Sequence, residues 1–185
     1  MCSPHSLKMN PLFVQFNPLY IMKTIEINLY KFDELSEEAQ AKAIRKYQGR
    51  DFYDWWSFIQ YNAKECGVII ESFDTYRGDI SASFKWEAHD VANALIYFWG
   101  SDTDIGEISK KFLADREALY IDYNDDQCEE FSEKEDELVD EFHSDVSHYF
   151  LKQLRDELEW LESDECAKDY FISMDVDFTE DGTEY

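Results

Sequence analysis

The stretch TIEINLYKF (24–32) alternates apolar and polar positions, with Ile25, Ile27 and Leu29 on one side. That period of two predicts a strand. The period then changes. In DELSEEAQAKAIRKYQ, residues Ala39, Ala43, Ile44 and Tyr47 recur at helical spacing, Ser36 is placed to cap, and Glu37 and Glu38 fill the first turn. Gly49 ends or kinks this helix. A second helix is expected over 51–66, starting at Asp51, with Phe52, Trp55, Trp56, Ile59 and Ala63 as its apolar face. Two β-rich runs within 68–87 flank Arg77-Gly78-Asp79, which predicts a hairpin. Helices follow at about 90–99, stopped by Gly100, and at about 104–120. The longest pattern covers 132–163: Leu138, Phe142, Val146, Tyr149, Phe150, Leu154, Leu158 and Leu161 form a stripe whose steps suit a helix, and the other faces are mostly charged. A short helix from Ser163 or Asp164, a strand near 174–178 and a turn at Asp181-Gly182 close the chain. The expected class is α+β, with a small antiparallel sheet made of the N-terminal strand, the hairpin and the C-terminal strand, packed by helices.

Composition adds a second feature. The net charge is −25, with 17% aromatic residues. Acidic disordered chains lack aromatics, so this chain is expected to fold. The charge is uneven: residues 1–100 hold 13 acids and 10 bases, whereas 101–185 hold 29 acids and 7 bases. The expected organisation is one α+β domain over 22–185, near-neutral in its first half and strongly acidic in its second. Residues 1–21 are expected to be a disordered extension, because MKTIEINLYKF from Met22 reads like a natural start and polar and proline residues interrupt the apolar pieces before it. No A-x-A-like cleavage site precedes it, which argues against a signal peptide. Cys2, Cys66, Cys128 and Cys166 form no C-x-x-C pair, the usage of an intracellular protein with reduced thiols.

Motifs for catalysis are missing. There is no G-x-S-x-G elbow, Walker loop or G-x-G-x-x-G, and six glycines leave little for a phosphate cradle. His143 and His148 are five residues apart and do not share a helix face as zinc ligands would. One weak cation candidate exists: Asp122, Asn124, Asp126 and Glu133 fall at positions 1, 3, 5 and 12 of a calcium loop, but Gln127 stands where the sharp turn needs glycine. The cluster FYDWWSFIQY (52–61) has the spacing of core packing, and an acidic protein is a poor nucleic-acid binder.

The acidic helix is the strongest functional signal. CEEFSEKEDELVDEFHSD (128–145) holds nine acids and one base, Lys134. Glu133, Glu137, Asp140, Glu141, Asp145, Asp156, Glu159 and Glu162 are expected to point outward. Carboxylates four apart on a helix are separated by about 6 Å along its axis, against about 3.4 Å between phosphates of one DNA strand. Such a row approximates a phosphate track, and the whole segment would span about 48 Å if unbroken. Solubility does not require this much charge.

Several strings together resemble a known group of proteins: YKFDELSEEAQAKAI (30–44), DWW (54–56), ECGVIIESFDTYRGD (65–79) and DECAKDYF with DFTEDG (164–182). They are similar to a family of small acidic proteins of bacteriophages and gut-bacterial mobile elements, some labelled "antitoxin of toxin–antitoxin stability system". The resemblance runs from about Met22 to the C-terminus and is weakest from about 99 to 130. It supplies no catalytic residues, and it implies a small accessory protein in the bacterial cytoplasm.

These observations converge on an expected non-enzymatic inhibitor or antitoxin. Its acidic surface would imitate DNA and occupy the basic site of a nucleic-acid-binding host protein, such as a CRISPR or restriction nuclease or a toxin. No cofactor, membrane or direct nucleic-acid partner is expected. The alternatives are a cation-binding protein, a structural or assembly protein, and an enzyme of unrecognised class.

Overall fold

The computed structural model describes residues 26–122 and 128–185. A one-turn 3-10 helix (Phe32–Glu34) is followed by α1 (Glu37–Gln48), α2 (Ser57–Glu65), β1 (Val68–Asp74), β2 (Asp79–Phe84), α3 (Ala88–Trp99), α4 (Asp104–Asp122), α5 (Cys128–Leu161) and α6 (Asp164–Ser173). The class is α+β. Among the described residues no helix is long and apolar enough to cross a membrane. The extension 1–21 lies outside the described residues.

Local signals account for several helix ends. The Ser36 hydroxyl accepts from the Ala39 amide and starts α1, and the Ser163 hydroxyl accepts from the Cys166 amide and starts α6. Gly100, at φ 93°, ends α3 in a conformation that suits only glycine. The second helix departs from expectation: it starts at Ser57, and Asp51 does not cap it. The reason is tertiary. Phe52 packs on Tyr47 in one apolar cluster, whereas Ile59 and Ala63 belong to another. The chain must turn between them, and Asp54 takes a left-handed φ of 57° to do so.

The sheet is smaller than the alternation predicts. It is one antiparallel ribbon, β1 with β2, paired from Val68↔Phe84 to Asp74↔Asp79 with an irregularity between Ile70 and Ser72. The N-terminal segment is not a strand of it. Tyr30 forms an isolated bridge with Phe178, and Phe178 forms another with Glu184. Ile27 and Leu29, the expected buried face, are exposed. The expected C-terminal strand is likewise reduced to Phe178, because Asp175 turns the chain with φ 51° after α6. An alternating run becomes a strand only where a neighbouring backbone pairs along it, and among the described residues the N-terminal run pairs only at Tyr30. The ribbon's own edges are partly covered: Gln60 donates to the Ile70 carbonyl at 3.5 Å, and His143 Nε2 lies 2.9 Å from the Ala82 carbonyl.

The core lies in two clusters. The larger joins α2, β1, β2, α3, α4 and α5 through Ala63, Val68, Leu95, Ile105, Phe112 and Phe142. Phe112 and Phe142 stack with centroids 4.3 Å apart, locking α4 antiparallel to α5. The smaller gathers Phe32, Ala43, Tyr47, Phe171 and Phe178 from the 3-10 helix, α1, α6 and the C-terminal segment. On α5, Phe142, Val146, Phe150 and Leu154 are buried as expected, and Leu151 with them. A four-residue repeat exceeds the 3.6 of a turn, so the stripe winds about 40° per step. That winding carries α5 from the larger cluster at Phe142 to the smaller at Leu161.

Candidate interaction surface

At about 100° per residue, Glu133, Glu137, Asp140, Glu141, Asp145, Asp156, Glu159 and Glu162 project within an arc of about 160° around α5. Seven of the eight are exposed, and Asp145 is partly buried. The stripe that anchors α5 takes the remaining arc, so packing leaves these carboxylates facing outward.

The structure divides them into two blocks. Glu133 to Asp145 form the first. Asp156, Glu159 and Glu162 form the second, beginning eleven residues and about 16 Å further along the axis. Residues 146–155 between them hold no acid, and they include Lys152 and Arg155. The helix is unbroken, but the single carboxylate track expected from the sequence is not. The interruption is the segment where α5 is most deeply packed, with Val146, Ser147, Phe150, Leu151 and Leu154 all buried. Only its inward face is buried; the outward positions of the segment carry His148, Lys152 and Arg155 in place of acids.

The neighbouring helix enlarges the first block. Asp115 on α4 is exposed and lies across from it, lining a cleft with Glu141 and Asp145. Lys111 of α4 bridges the pair, 2.8 Å from Glu141 and 3.9 Å from Asp115. Its hydrogen bond to Glu141 raises the Lys111 pKa above the ordinary lysine value. Nearer the hairpin tip, Arg116 is 2.8 Å from Glu135, with the Tyr120 hydroxyl donating to the same carboxylate at 3.0 Å. Both ionic groups are largely shielded, so this cluster holds α4 to α5 below the exposed acids. One-dimensional reading of the long helix missed Asp115. Its signal is the four-residue spacing of Lys111 and Asp115, which puts an acid and a base on one face of α4.

Apart from Glu141, none of the eight expected surface residues takes part in an ion pair among the described residues. The Glu162 carboxylate lies 3.5 Å from the Tyr76 hydroxyl, and its backbone carbonyl accepts from Gln48 at 2.8 Å. Of the calcium register Asp122, Asn124, Asp126 and Glu133, the first three side chains lie outside the described residues, and Glu133 is an exposed residue of α5. Among the described residues no group of three or more His, Cys, Asp or Glu is arranged to hold a metal. His143 bonds the ribbon, while His148 lies on Ser144 of its own helix.

The aromatic cluster at 52–61 is only partly core. Trp55 and Trp56 pack edge-on against Phe73, but Tyr53, Phe58 and Tyr61 are exposed. Cys66 is fully buried, and burial pushes its thiol up to about 11, far from a nucleophile's range. No protein-family model, curated protein or solved structure matches this chain.

Proposed function

We propose that this chain is a non-enzymatic binding protein whose α4–α5 hairpin presents carboxylates to a basic, nucleic-acid-binding protein. It would act by occupying that partner's nucleic-acid site. The single observation that carries the reading is the exposed first block: Glu133, Glu137 and Asp140 stand outward without a salt-bridge partner among the described residues, on a helix pinned by the Phe112–Phe142 stack. Unpaired like charges repel one another and cost stability, and a cationic groove would relieve that cost on binding. An inhibitor or antitoxin role in a bacterial host is the form that agrees with the resemblance to small phage and mobile-element proteins. The interruption at 146–155 favours a partner with two basic patches over one continuous groove.

The test is charge reversal. Glu133, Glu137 and Asp140 are the residues to change to Lys together. Asp145 and Glu141 are poor choices, because a lysine there would face Lys111. The expected outcome is loss of salt-sensitive binding to a basic nuclease, toxin or DNA-binding protein, with the melting temperature kept or raised. Equal binding by the reversed protein would end the proposal.

A second reading has one observation in its favour. Tyr53, Phe58 and Tyr61 leave a solvent-facing aromatic side on and before α2, as an assembly protein would. Sedimentation velocity across a concentration series separates the two: self-association abolished by Phe58→Ser supports assembly, and a concentration-independent monomer removes it.

A further inference from the structure

The turn between β1 and β2 leans on the last turns of α5 and leaves a cavity of about 360 Å³, lined by Thr75, Tyr76, Arg155, Leu158, Glu159 and Glu162. Local chemistry shapes it. The Asp74 carboxylate accepts from the amides of Tyr76 at 3.0 Å and Arg77 at 2.9 Å, which fixes the turn and turns the Tyr76 ring outward, 82% exposed. Gly78 has φ 85°, and a Cβ there would come within 2.5 Å of the Arg155 guanidinium, so glycine lets that side chain pass. Arg155 then donates from Nε to the Thr75 carbonyl at 3.0 Å. The Tyr76 hydroxyl reaches toward Glu162, 3.5 Å away. Glu159 and Glu162 share one side of the helix and form no ion pair among the described residues, even with Arg155 beside them.

We propose that this cavity is a socket for one arginine side chain of the basic partner. The inference rests on reading the acidic surface as protein-binding, and it names what the second acidic block takes. A guanidinium is planar, with donors around its edge and two weakly hydrated faces. The exposed Tyr76 ring offers a face to stack on, Glu159 and Glu162 offer acceptors for the edge, and half-buried Leu158 gives an apolar floor. A lysine ammonium would use the carboxylates and a point-charge contact with the ring, but it lacks the planar stacking and forked edge of a guanidinium. Two carboxylates against the one guanidinium of Arg155 leave the lining net negative, which disfavours an anionic ligand.

The experiment is an NMR titration of the full chain with the capped peptide Gly-Gly-Arg-Gly-Gly, beside versions carrying lysine or citrulline in place of arginine. The expected result is saturable shifts at Tyr76 with the arginine peptide, binding at least about threefold tighter than lysine. Citrulline, which is uncharged, should produce no saturable shift. Tyr76→Ala should weaken arginine binding by about threefold or more, and Glu159→Gln with Glu162→Gln should abolish it. Equal affinity for arginine and lysine, or no effect of Tyr76→Ala, would overturn the socket and leave only diffuse charge. Reversal of Glu133, Glu137 and Asp140 tests the wider surface separately, because none of them lines this cavity.

Discussion

The C-terminal segment and the long helix α5 are both rich in carboxylates, and the fold treats them in opposite ways. In the C-terminal segment after α6, four of the five acids are paired with bases. Asp175 and Asp177 flank Lys31 at 2.9 and 2.8 Å, Asp181 meets Lys42 at 2.6 Å, and Glu184 takes both hydrogen bonds from Arg50. Arg50 also lies over the rings of Tyr47 and Tyr170. These bases come from the first half of the chain, so the pairs close the smaller core around Phe178. On α5 the bases are few, and Glu133, Glu137 and Asp140 are left without ion pairs among the described residues. The lesson is that net charge counts two populations as one. One carries structure, and the other is surplus that the fold holds outward.

The comparison breaks most sharply at Phe178. It is fully buried between Phe32 and Phe171, so Phe178→Ala should cost about 3–5 kcal/mol, read by denaturant unfolding. Reversal of Glu133, Glu137 and Asp140 to lysine should do the opposite. It should leave stability unchanged or slightly higher, while cutting the affinity of a basic partner by about a hundredfold at low salt. If that reversal instead unfolded the protein, the α5 acids would belong with the structural population.

Arg50→Ala gives a middle-sized effect. Both partners of the Arg50–Glu184 pair are more than two-thirds shielded, so its loss should cost about 1–3 kcal/mol without altering partner binding. The pH dependence is subtler. Hydrogen bonds from Lys42, then from Thr179 and Thr183, hold the Asp181 carboxyl well below the ordinary carboxylate range. A depressed folded value means that the stabilisation is fully present above the unfolded-state range near pH 4 and fades as pH falls below it. Melting curves of the wild type and Asp181→Asn should therefore differ at pH 7 and converge in strong acid. A constant difference across that range would show that Asp181 stabilises by something other than its charge.

The helices were legible because their signals are local. Ser36 and Ser163 cap as their positions suggest, and the apolar stripe of α5 is buried along most of its length. The sheet was overread because alternation in Ile27 and Leu29 carries no information about whether a neighbour exists. The start of α2 was misplaced because Asp51 looks like a cap, and only the separation of two cores shows why the chain turns at Asp54 instead. The outward acids could be read from helix periodicity. Their interruption was visible in the sequence too, since 146–155 contains no Asp or Glu and carries Lys152 and Arg155. The Tyr76 cavity could not be read at all, because it joins residues about eighty positions apart.

The most direct test immobilises the wild-type chain and the Glu133, Glu137, Asp140 lysine variant in parallel and offers each the same bacterial lysate. Bound proteins are eluted with rising salt, and duplex DNA is used as competitor. The expected result is a basic nucleic-acid-binding protein retained by the wild type, released by moderate salt or by DNA, and absent from the variant. The same protein retained equally on both columns, or no basic protein retained on either, would contradict it.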